Sequence, residues 1–452
     1  MRSVILGIGL FLLLPHQVGG QEGTPFNRIN NETYRLYLEE QWDSVVMLGK
    51  AALRQEIDYY YLRMRIGIAY YHKKNYRVAA THFNKALEMN QGDPVALEYL
   101  YYARLMAGQA QQASVIRSRF NGALSQKLPA EKGRFFKAGG VEYLYTTSDF
   151  ALPDEIPGDF YALPAGALTV PLHFSNVAVS LENGIAPGIS LAHAYTYLSK
   201  DNYYYQNEGT GIFYIMDKQH VVQHQYYLSP QFTFRSGLTL LPMVHLISTY
   251  YQSILSSTSG GGYMGGAGTS TVGYVHDIHL AGGMTMVKNW RCVDLSGGAA
   301  FANLNGTRQF QGRFGITWYP LGNLNLYAGA GLSGQQEWSE NSSVSRWVPD
   351  LKVGVAVAEK VWIEADAAMG EMHNYLERNG SIVYNGFSDT MDKKAKLSLL
   401  IPVTGKGSLV YLGGRWTSGY SSFVPQTGLL SETDQLFELQ TFSIYGGISW
   451  KF

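Results

Sequence analysis

Four charged residues, Arg313, Lys352, Glu364 and Asp366, are the side chains best placed to do something in this chain. Each lies on the polar side of a stretch that alternates apolar with polar residues. Two cations and two carboxylates facing one interior can neutralise each other, or can tune the passage of a solute. Charge on a wetted or paired wall costs little, whereas charge against lipid costs several kcal/mol. We read the four as lumen-facing and paired. His276-Asp277-Ile278-His279 resembles a metal pair in spacing, but positions 276 and 279 of a strand point to opposite faces, so no metal is expected there. His193, His224 and His245 fall on separate strands and read as interfacial or lumenal residues. Serines and histidines occur throughout without a spacing that singles out a nucleophile and its base, so no catalytic residue is nominated. No glycine-rich phosphate loop precedes a helix, and the segment from Gly260 to Gly266 reads as a flexible outer loop. No cofactor is expected.

The element that must hold these charges is a sheet. From about Gly133 onward, apolar residues recur with a period of two. Phe310, Phe314, Ile316 and Trp318 oppose Gln311, Arg313 and Thr317. After a turn from Pro320 to Asn323, Leu324, Leu326, Ala328, Ala330 and Leu332 oppose Asn325, Tyr327, Gly329 and Gly331. Leu351, Val353, Val355 and Val357 alternate with Lys352, Gly354 and Ala356. Val361, Ile363, Ala365 and Ala367 alternate with Trp362, Glu364 and Asp366. Ser236-Gly237 and the segment from Thr404 to Gly407 mark further tight turns. Long polar stretches at 200–218, 255–270, 371–388 and 418–436 read as outer loops. Short turns alternating with long loops, and one apolar face per strand, describe an antiparallel transmembrane β-barrel. About 320 residues remain for it. Strands of roughly 9–11 residues plus connections then give about 12 to 14 strands. The parse gives 14, with 12 as the other count. The strands begin near Phe135, Val177, Gly188, Val221, Leu238, Val272, Val293, Arg308, Leu324, Arg346, Lys360, Lys394, Gly407 and Phe437.

Composition agrees with this reading. The 452 residues hold 33 tyrosines, 20 phenylalanines and 50 glycines, and only 15% are charged. Aromatics suit membrane interfaces, and glycines let a sheet curve. Mean hydropathy is −0.11 and no run of 18 or more apolar residues follows the N-terminal segment, which excludes helical membrane spans. A net charge of zero lacks the basic excess of a nucleic-acid binder. Residues 1–20 read as a signal peptide: Arg2 supplies the positive end, Val4 to Leu14 is apolar but short, and Val18-Gly19-Gly20 precedes a cut before Gln21. Cys292 is the only cysteine, so no internal disulfide is expected, and no cysteine follows the cut to carry a lipid.

Residues 21–132 have a different period. Apolar spacing is three to four, and helix formers are plentiful. Segments beginning at Trp42, Tyr76 and Ala110 align at a spacing of 34 residues. Asp93-Pro94 supplies a cap and a first-turn proline. The result is a two-part chain: a signal at 1–20, an all-α repeat domain at 21–132, and a barrel at 133–452.

Two resemblances sharpen this reading. Ile66-Gly67, Tyr70, Tyr76, Ala79, Phe83 and Ala86 fill places that the tetratricopeptide-repeat family reserves for Leu-Gly, aromatics, Ala, Phe and Ala. Gly49 and Tyr101 depart from that pattern, as terminal repeats often do. By that resemblance, the concave groove maps to Tyr61, Met64, Ile68, Tyr71 and His72 on one helix. On the next it maps to Val95, Glu98, Tyr102, Leu105 and Met106. Such a groove suits an apolar peptide or helix; the alternative is that these residues pack against the barrel mouth or another helix. At the other end, Gly447, Trp450 and Phe452 resemble the C-terminal assembly signal of bacterial outer-membrane barrels. That resemblance implies recognition by the barrel-assembly machinery, an outer-membrane address, and helical repeats in the periplasm. The arrangement is similar to the YaiO-like family and to repeat-plus-barrel export proteins. The expectation is a non-enzymatic barrel whose repeats recruit a protein or peptide partner, or a cargo, for export or assembly. The alternatives are a non-conducting scaffold and, third, a barrel enzyme acting on lipid or envelope polymer.

Overall fold

A computed structural model describes residues 24–128, 135–149, 166–207, 213–258, 269–339, 343–358, 361–384, 389–403, 407–422, 424–425 and 436–452. The signal segment lies outside the described residues.

Seven helices come first: α1 (Pro25–Leu38), α2 (Trp42–Arg54), α3 (Tyr60–His72), α4 (Tyr76–Met89), α5 (Pro94–Met106), α6 (Ala110–Arg117) and α7 (Gly122–Lys127). Side chains cap several of them. Asn75 Oδ1 accepts from Val78 N at 3.2 Å, and Asp93 Oδ1 accepts from Ala96 N at 2.7 Å, directly before Pro94. The helices share one core around Leu62, Ile66, Phe83, Leu97 and Leu100. Small residues set the spacing. A Cβ on Gly67 would sit 2.6 Å from the Phe83 ring, and one on Gly49 would sit 2.5 Å from Ile66.

The rest is a barrel. Its strands are β1 (Phe136–Ser148), β2 (Gly166–Ala186), β3 (Ile189–Asn207), β4 (Phe213–Thr233), β5 (Leu238–Thr258), β6 (Thr269–Trp290), β7 (Val293–Leu304), β8 (Thr307–Trp318), β9 (Leu326–Trp338), β10 (Ser343–Ala358), β11 (Val361–Met372), β14 (Asp389–Val403), β15 (Ser408–Ser422) and β17 (Leu436–Lys451). Each pairs antiparallel with the next. β1 pairs with both β2 and β17, which closes a 14-stranded cylinder and removes every free edge. Three short segments complete the set: the hairpin β12 (Tyr375–Glu377) and β13 (Ile382–Tyr384), and β16 (Val424–Pro425), which extends the top of β2.

The barrel is apolar outside and polar inside. On β17, Ile444 is 75% exposed while its neighbour Ser443 is 3% exposed. Leu351, Val353, Val355 and Val357 face outward, and Gln309, Gln311, Ser333, Gln335 and Ser398 are buried within. A water-soluble sheet buries its apolar face; this one exposes it, which is the pattern of a wall set in lipid. The barrel's first strand begins and its last strand ends at one end, here called the terminus end, where Phe452 N donates to Lys137 O at 3.0 Å. Turns such as Pro187-Gly188 and Arg291-Cys292 lie at that same end.

Three details differ from the sequence reading. β2 starts at Gly166, not near Val177, and β2 to β6 run 19 to 22 residues. They therefore absorb most of the polar stretch 200–218 and the two ends of 255–270; likewise β15 and β17 take up parts of 418–436. Tyrosines on both faces of β3 and β4 blur the alternation there. Next, β7 and β8 join at the far end through only Asn305-Gly306, both at positive φ (49° and 77°), so that end is not uniformly long-looped. Finally, residues 371–384 of the stretch 371–388 are not an outer loop. They fold back into the barrel.

The helical domain is docked on the terminus end. Arg77 N donates to Gly322 O at 3.0 Å, and Asn323 Nδ2 donates to Lys74 O at 2.9 Å. Gly322 is at φ 67°, and a Cβ there would overlap the Asn75 side chain. Ser114 Oγ accepts from Gly188 N at 3.1 Å, and Gln111 Nε2 donates to Ser190 Oγ at 2.9 Å and to Glu182.

Candidate functional site

The lumen holds a dense polar network, and a hairpin supplies it. After Met372 the chain turns inward at Asn374 (φ 50°), runs along β12, reverses through Arg378, Asn379 and Gly380 (φ 51°, 56° and 71°), and returns along β13. Asn-Gly at the reversal is what a tight hairpin turn requires. A Cβ on Gly380 would lie 2.5 Å from Met243 Cε, so the methionine would have to shift, and at φ 71° a side chain is strained whatever room it yields.

Interior side chains of six strands hold the hairpin. From β8, Gln309 Nε2 donates to Asn374 O at 2.7 Å and Gln311 Nε2 donates to Leu376 O at 2.6 Å; Gln311 Oε1 also accepts from Leu376 N at 3.0 Å. From β9, Glu337 accepts from Asn374 Nδ2 at 2.7 Å, Gln335 Nε2 donates to His373 O at 2.9 Å, and Ser333 Oγ bonds the Tyr375 hydroxyl at 2.9 Å. At the tip, the Tyr227 hydroxyl donates to Asn379 O at 3.2 Å, and Thr285 Oγ1 donates to Asn379 Oδ1 at 2.6 Å. His245 Nδ1 bonds Gly380 O at 2.7 Å. From β14, Lys394 Nζ donates to Glu377 Oε1 at 2.6 Å, while the Tyr384 hydroxyl donates to Glu377 Oε2 at 2.5 Å. The tip also meets an interrupted seam. Pairing of β4 with β5 lapses between Leu228–Val244 and Phe232–Leu240, where Pro230 and Pro242 remove ladder donors, and Asn379 Nδ2 donates to Leu241 O at 3.4 Å.

The four predicted lumen charges are inward and paired. Arg313 forms a two-bond pair with Asp350, one bond of 2.9 Å, and reaches Ser333 Oγ at 3.2 Å. Lys352 Nζ lies 2.8 Å from Glu364, whose other contact is the Tyr327 hydroxyl at 2.5 Å. Asp366 shares Lys394 at 3.9 Å, and its Oδ2 has no hydrogen-bond partner among the described residues. Lys352–Glu364 and Asp366–Lys394 are diagonal pairs on adjacent strands, whereas Arg313 of β8 reaches across β9 over Gly331 to Asp350 of β10, which spacing along one strand cannot show.

The hairpin fills one side of the lumen. On the other side, a cavity of about 640 Å³ lies between it and the wall made by β1 to β4, β14, β15 and β17. Glu182 and Ser449 line it near the terminus end; Lys200, Asp389 and Tyr420 line it near the far end. Its walls mix apolar Leu144, Phe174, Leu198 and Leu439 with Asn176, Thr196, Gln223 and Gln225.

The other predicted residues fall as follows. His276 is exposed and stacks on Tyr250 at 4.2 Å, whereas His279 is buried on the opposite face; no group fit for a metal occurs among the described residues. Of the groove positions, Met64 and Ile68 are corrected: both are buried in the helical core, because α3 is flanked by helices on both sides. Tyr71 packs edge-on against Tyr76 and Tyr99, His72 stacks on Trp42 at 4.4 Å, and Glu98 pairs with Lys127 of α7 at 2.7 Å. Tyr102 is half-buried beside Tyr101, and Tyr61 and Met106 remain exposed. Trp450 lies against Gly139, Gly447 makes room for the Tyr411 hydroxyl, and Phe452 sits 6.0 Å from Phe136.

The chain matches no protein-family model and no curated protein. Among solved structures it is similar to a Pseudomonas aeruginosa FadL homologue, with TM-score 0.44 and 9% identity over 70% of this chain and 90% of that one. It is similar to the Pseudomonas putida toluene transporter TodX, with TM-score 0.42 and 10% identity over 75% and 93%. It also matches a bacterial polysaccharide outer membrane secretin, with TM-score 0.34 and 7% identity over 70% and 98%. The functional reading rests on the lumen's own residues.

The hairpin is the part that sequence reasoning missed. Its signal was present in Tyr375-Leu-Glu-Arg-Asn-Gly-Ser-Ile-Val-Tyr384, where Asn-Gly stands between two short apolar runs.

Proposed function

We propose that this chain is an outer-membrane barrel that passes a small solute alongside its inserted hairpin, and that the docked helices receive a partner or cargo at the periplasmic mouth. The cavity carries this reading: it follows the wall from Glu182 at the terminus end to Asp389 at the other, so the hairpin narrows the lumen without filling it. The apolar exterior supports an address in outer-membrane lipid. Short turns at the terminus end support a periplasmic helical domain. Helix starts at Trp42, Tyr76 and Ala110, 34 residues apart, support a tetratricopeptide-like stack in the manner of the YaiO-like group. The work assigned to it is binding and passage, not catalysis.

Recordings in planar bilayers test the passage. The purified chain should give discrete conductance steps, and replacing residues 375–384 with a two-glycine link should enlarge them. Silence in both forms would sink the passage reading. It would favour a scaffold, which the six-strand bonding of the hairpin otherwise suits. Deleting residues 21–132 should leave conductance in place while abolishing capture of a periplasmic protein or peptide partner. Truncating Phe452 should slow insertion by the barrel-assembly machinery, read as loss of heat-modifiable protein in outer-membrane fractions.

A further inference from the structure

Charge is unevenly satisfied where the hairpin turn faces the cavity. Lys352 is paired with Glu364 and Lys394 with Glu377. Three other cations have no ion pair among the described residues. Arg378, at the turn, lines the cavity; its backbone carbonyl accepts from Ser381, and its guanidinium has no hydrogen-bond partner among the described residues. Arg415 of β15 also lines it and donates only to Ser443 Oγ, at 3.1 and 3.3 Å. Lys396 of β14 is the register partner of Arg415, and its Nζ lies 4.6 Å from the centre of the Tyr445 ring. Arg378 and Arg415 line the cavity together with Tyr384 and Tyr411, and both guanidiniums act electrostatically on the Tyr384 hydroxyl. Four carboxylates face the cluster: Glu377, Asp366 and Glu364 act on Arg378, and Asp366, Glu377 and Glu142, the last held by the Tyr411 hydroxyl at 2.9 Å, act on Lys396. With Lys352 and Lys394 included, five cations stand against four carboxylates. Unpaired guanidiniums in a confined space are good receptors for oxygen anions, because their planar donor forks match two oxygens at once.

We propose that Arg378, Arg415 and Lys396 form an oxyanion-binding constriction, and that the solute passing beside the hairpin carries a carboxylate, sulfate or phosphate group. This rests on the passage reading above and names the chemical class of its solute. The hairpin contributes one of the two guanidiniums, so any movement of the turn takes the site apart.

Inorganic sulfate is the probe. Titration calorimetry on the purified full-length protein in detergent measures binding without requiring conduction. Wild type should bind sulfate, and Arg378→Gln and Arg415→Gln should each weaken it at least tenfold. Heat-modifiable gel mobility checks that each variant still folds. No sulfate binding by wild type, or equal binding by both variants, would overturn the proposal. In bilayers under a potassium chloride gradient, the reversal potential should show chloride preference that Arg378→Glu abolishes or inverts. A conducting, cation-selective wild type would overturn the site while leaving the passage standing. A silent barrel that still binds sulfate through these residues would sink the passage and leave the site.

Discussion

The guanidinium of Arg77 meets the carboxylate of Asp294 through two hydrogen bonds of 2.7 and 2.9 Å, joining residues 217 apart in the chain. Arg77 is 2% exposed on its side chain and lies 3.5 Å above the centre of the Tyr319 ring. A buried cation thus ties the first turn of α4 to the barrel rim at β7 and at the β8–β9 turn.

Breaking that tie should undock the helices without unfolding the barrel. Asp294→Ala leaves a buried, uncompensated guanidinium, a loss on the order of 3–5 kcal/mol. Hydrogen exchange should accelerate at Asn75 to Val78 and at Tyr319 to Asn323, while heat-modifiable mobility stays normal. Arg77→Lys should restore little, because an ammonium loses both the two-bond geometry and the stacked plane. Unchanged exchange in Asp294→Ala would refute the role.

Gly380 should be intolerant of any side chain. At φ 71° a β-branched side chain strains the turn, and Gly380→Val also displaces the Met243 side chain, whose Cε lies 2.5 Å from a built Cβ. The tip should leave its place, breaking the His245 and Asn379 bonds. Protease added from outside should then cut near residues 378–382 of the variant and spare the wild type. Equal resistance would show that the wall accommodates the change.

The Arg313–Asp350 pair should matter to the stability of the wall. Asp350→Ala removes one partner and leaves an inward cation whose remaining acceptor is Ser333 Oγ. Both groups are about a third exposed or less, so water screens the loss, and we expect on the order of 1–2 kcal/mol. The double variant Arg313→Met with Asp350→Ala should recover part of it in urea unfolding from vesicles.

His82 should set the acid limit of the helical domain. Burial first, then the nearby Arg63 and Lys50 charges, hold its imidazole down to about 4. The unfolded group titrates near 6.5, so the unfolded chain binds the proton first. The stability due to neutral His82 is complete above pH 6.5 and is lost as pH falls toward 4, on the order of 3 kcal/mol in all. The 222 nm helical signal of the full chain should show this acid-dependent loss of thermal stability, and His82→Gln should flatten it. An unaltered acid limb in the variant would place the effect elsewhere.

Much of this molecule was legible in the chain because barrels and helix stacks repeat short-range rules. Fourteen strands could be counted from period-two alternation in segments such as Leu351 to Val357, since lipid and lumen sort side chains residue by residue. The inward placement of Arg313, Lys352, Glu364 and Asp366 followed from the same parity. The helix start at Pro94 followed from the Asp93-Pro94 cap, and helices also begin at Trp42 and Tyr76, where the aligned segments began. These signals are local, and local signals survive without the fold.

The sequence by itself therefore determined the two-part architecture, the closing strand read from near Phe437 and found from Leu436 to Lys451, and the face taken by residues of cleanly alternating strands such as β10 and β11. Only the tertiary structure decided what fills the lumen and what covers its mouth. The segment from Tyr375 to Tyr384 is short and polar at its turn, and nothing within it says whether its donors and acceptors will meet water or Gln309, Gln311 and His245. That choice belongs to six strands distant in the chain, whose inward side chains come together only when β1 meets β17. Arg77 is likewise an ordinary helical arginine until the rim brings Asp294 and Tyr319 beneath it. Alternation sorts residues between two faces; which partners share a face across the barrel is fixed by closure, and the candidate site is made of such partners.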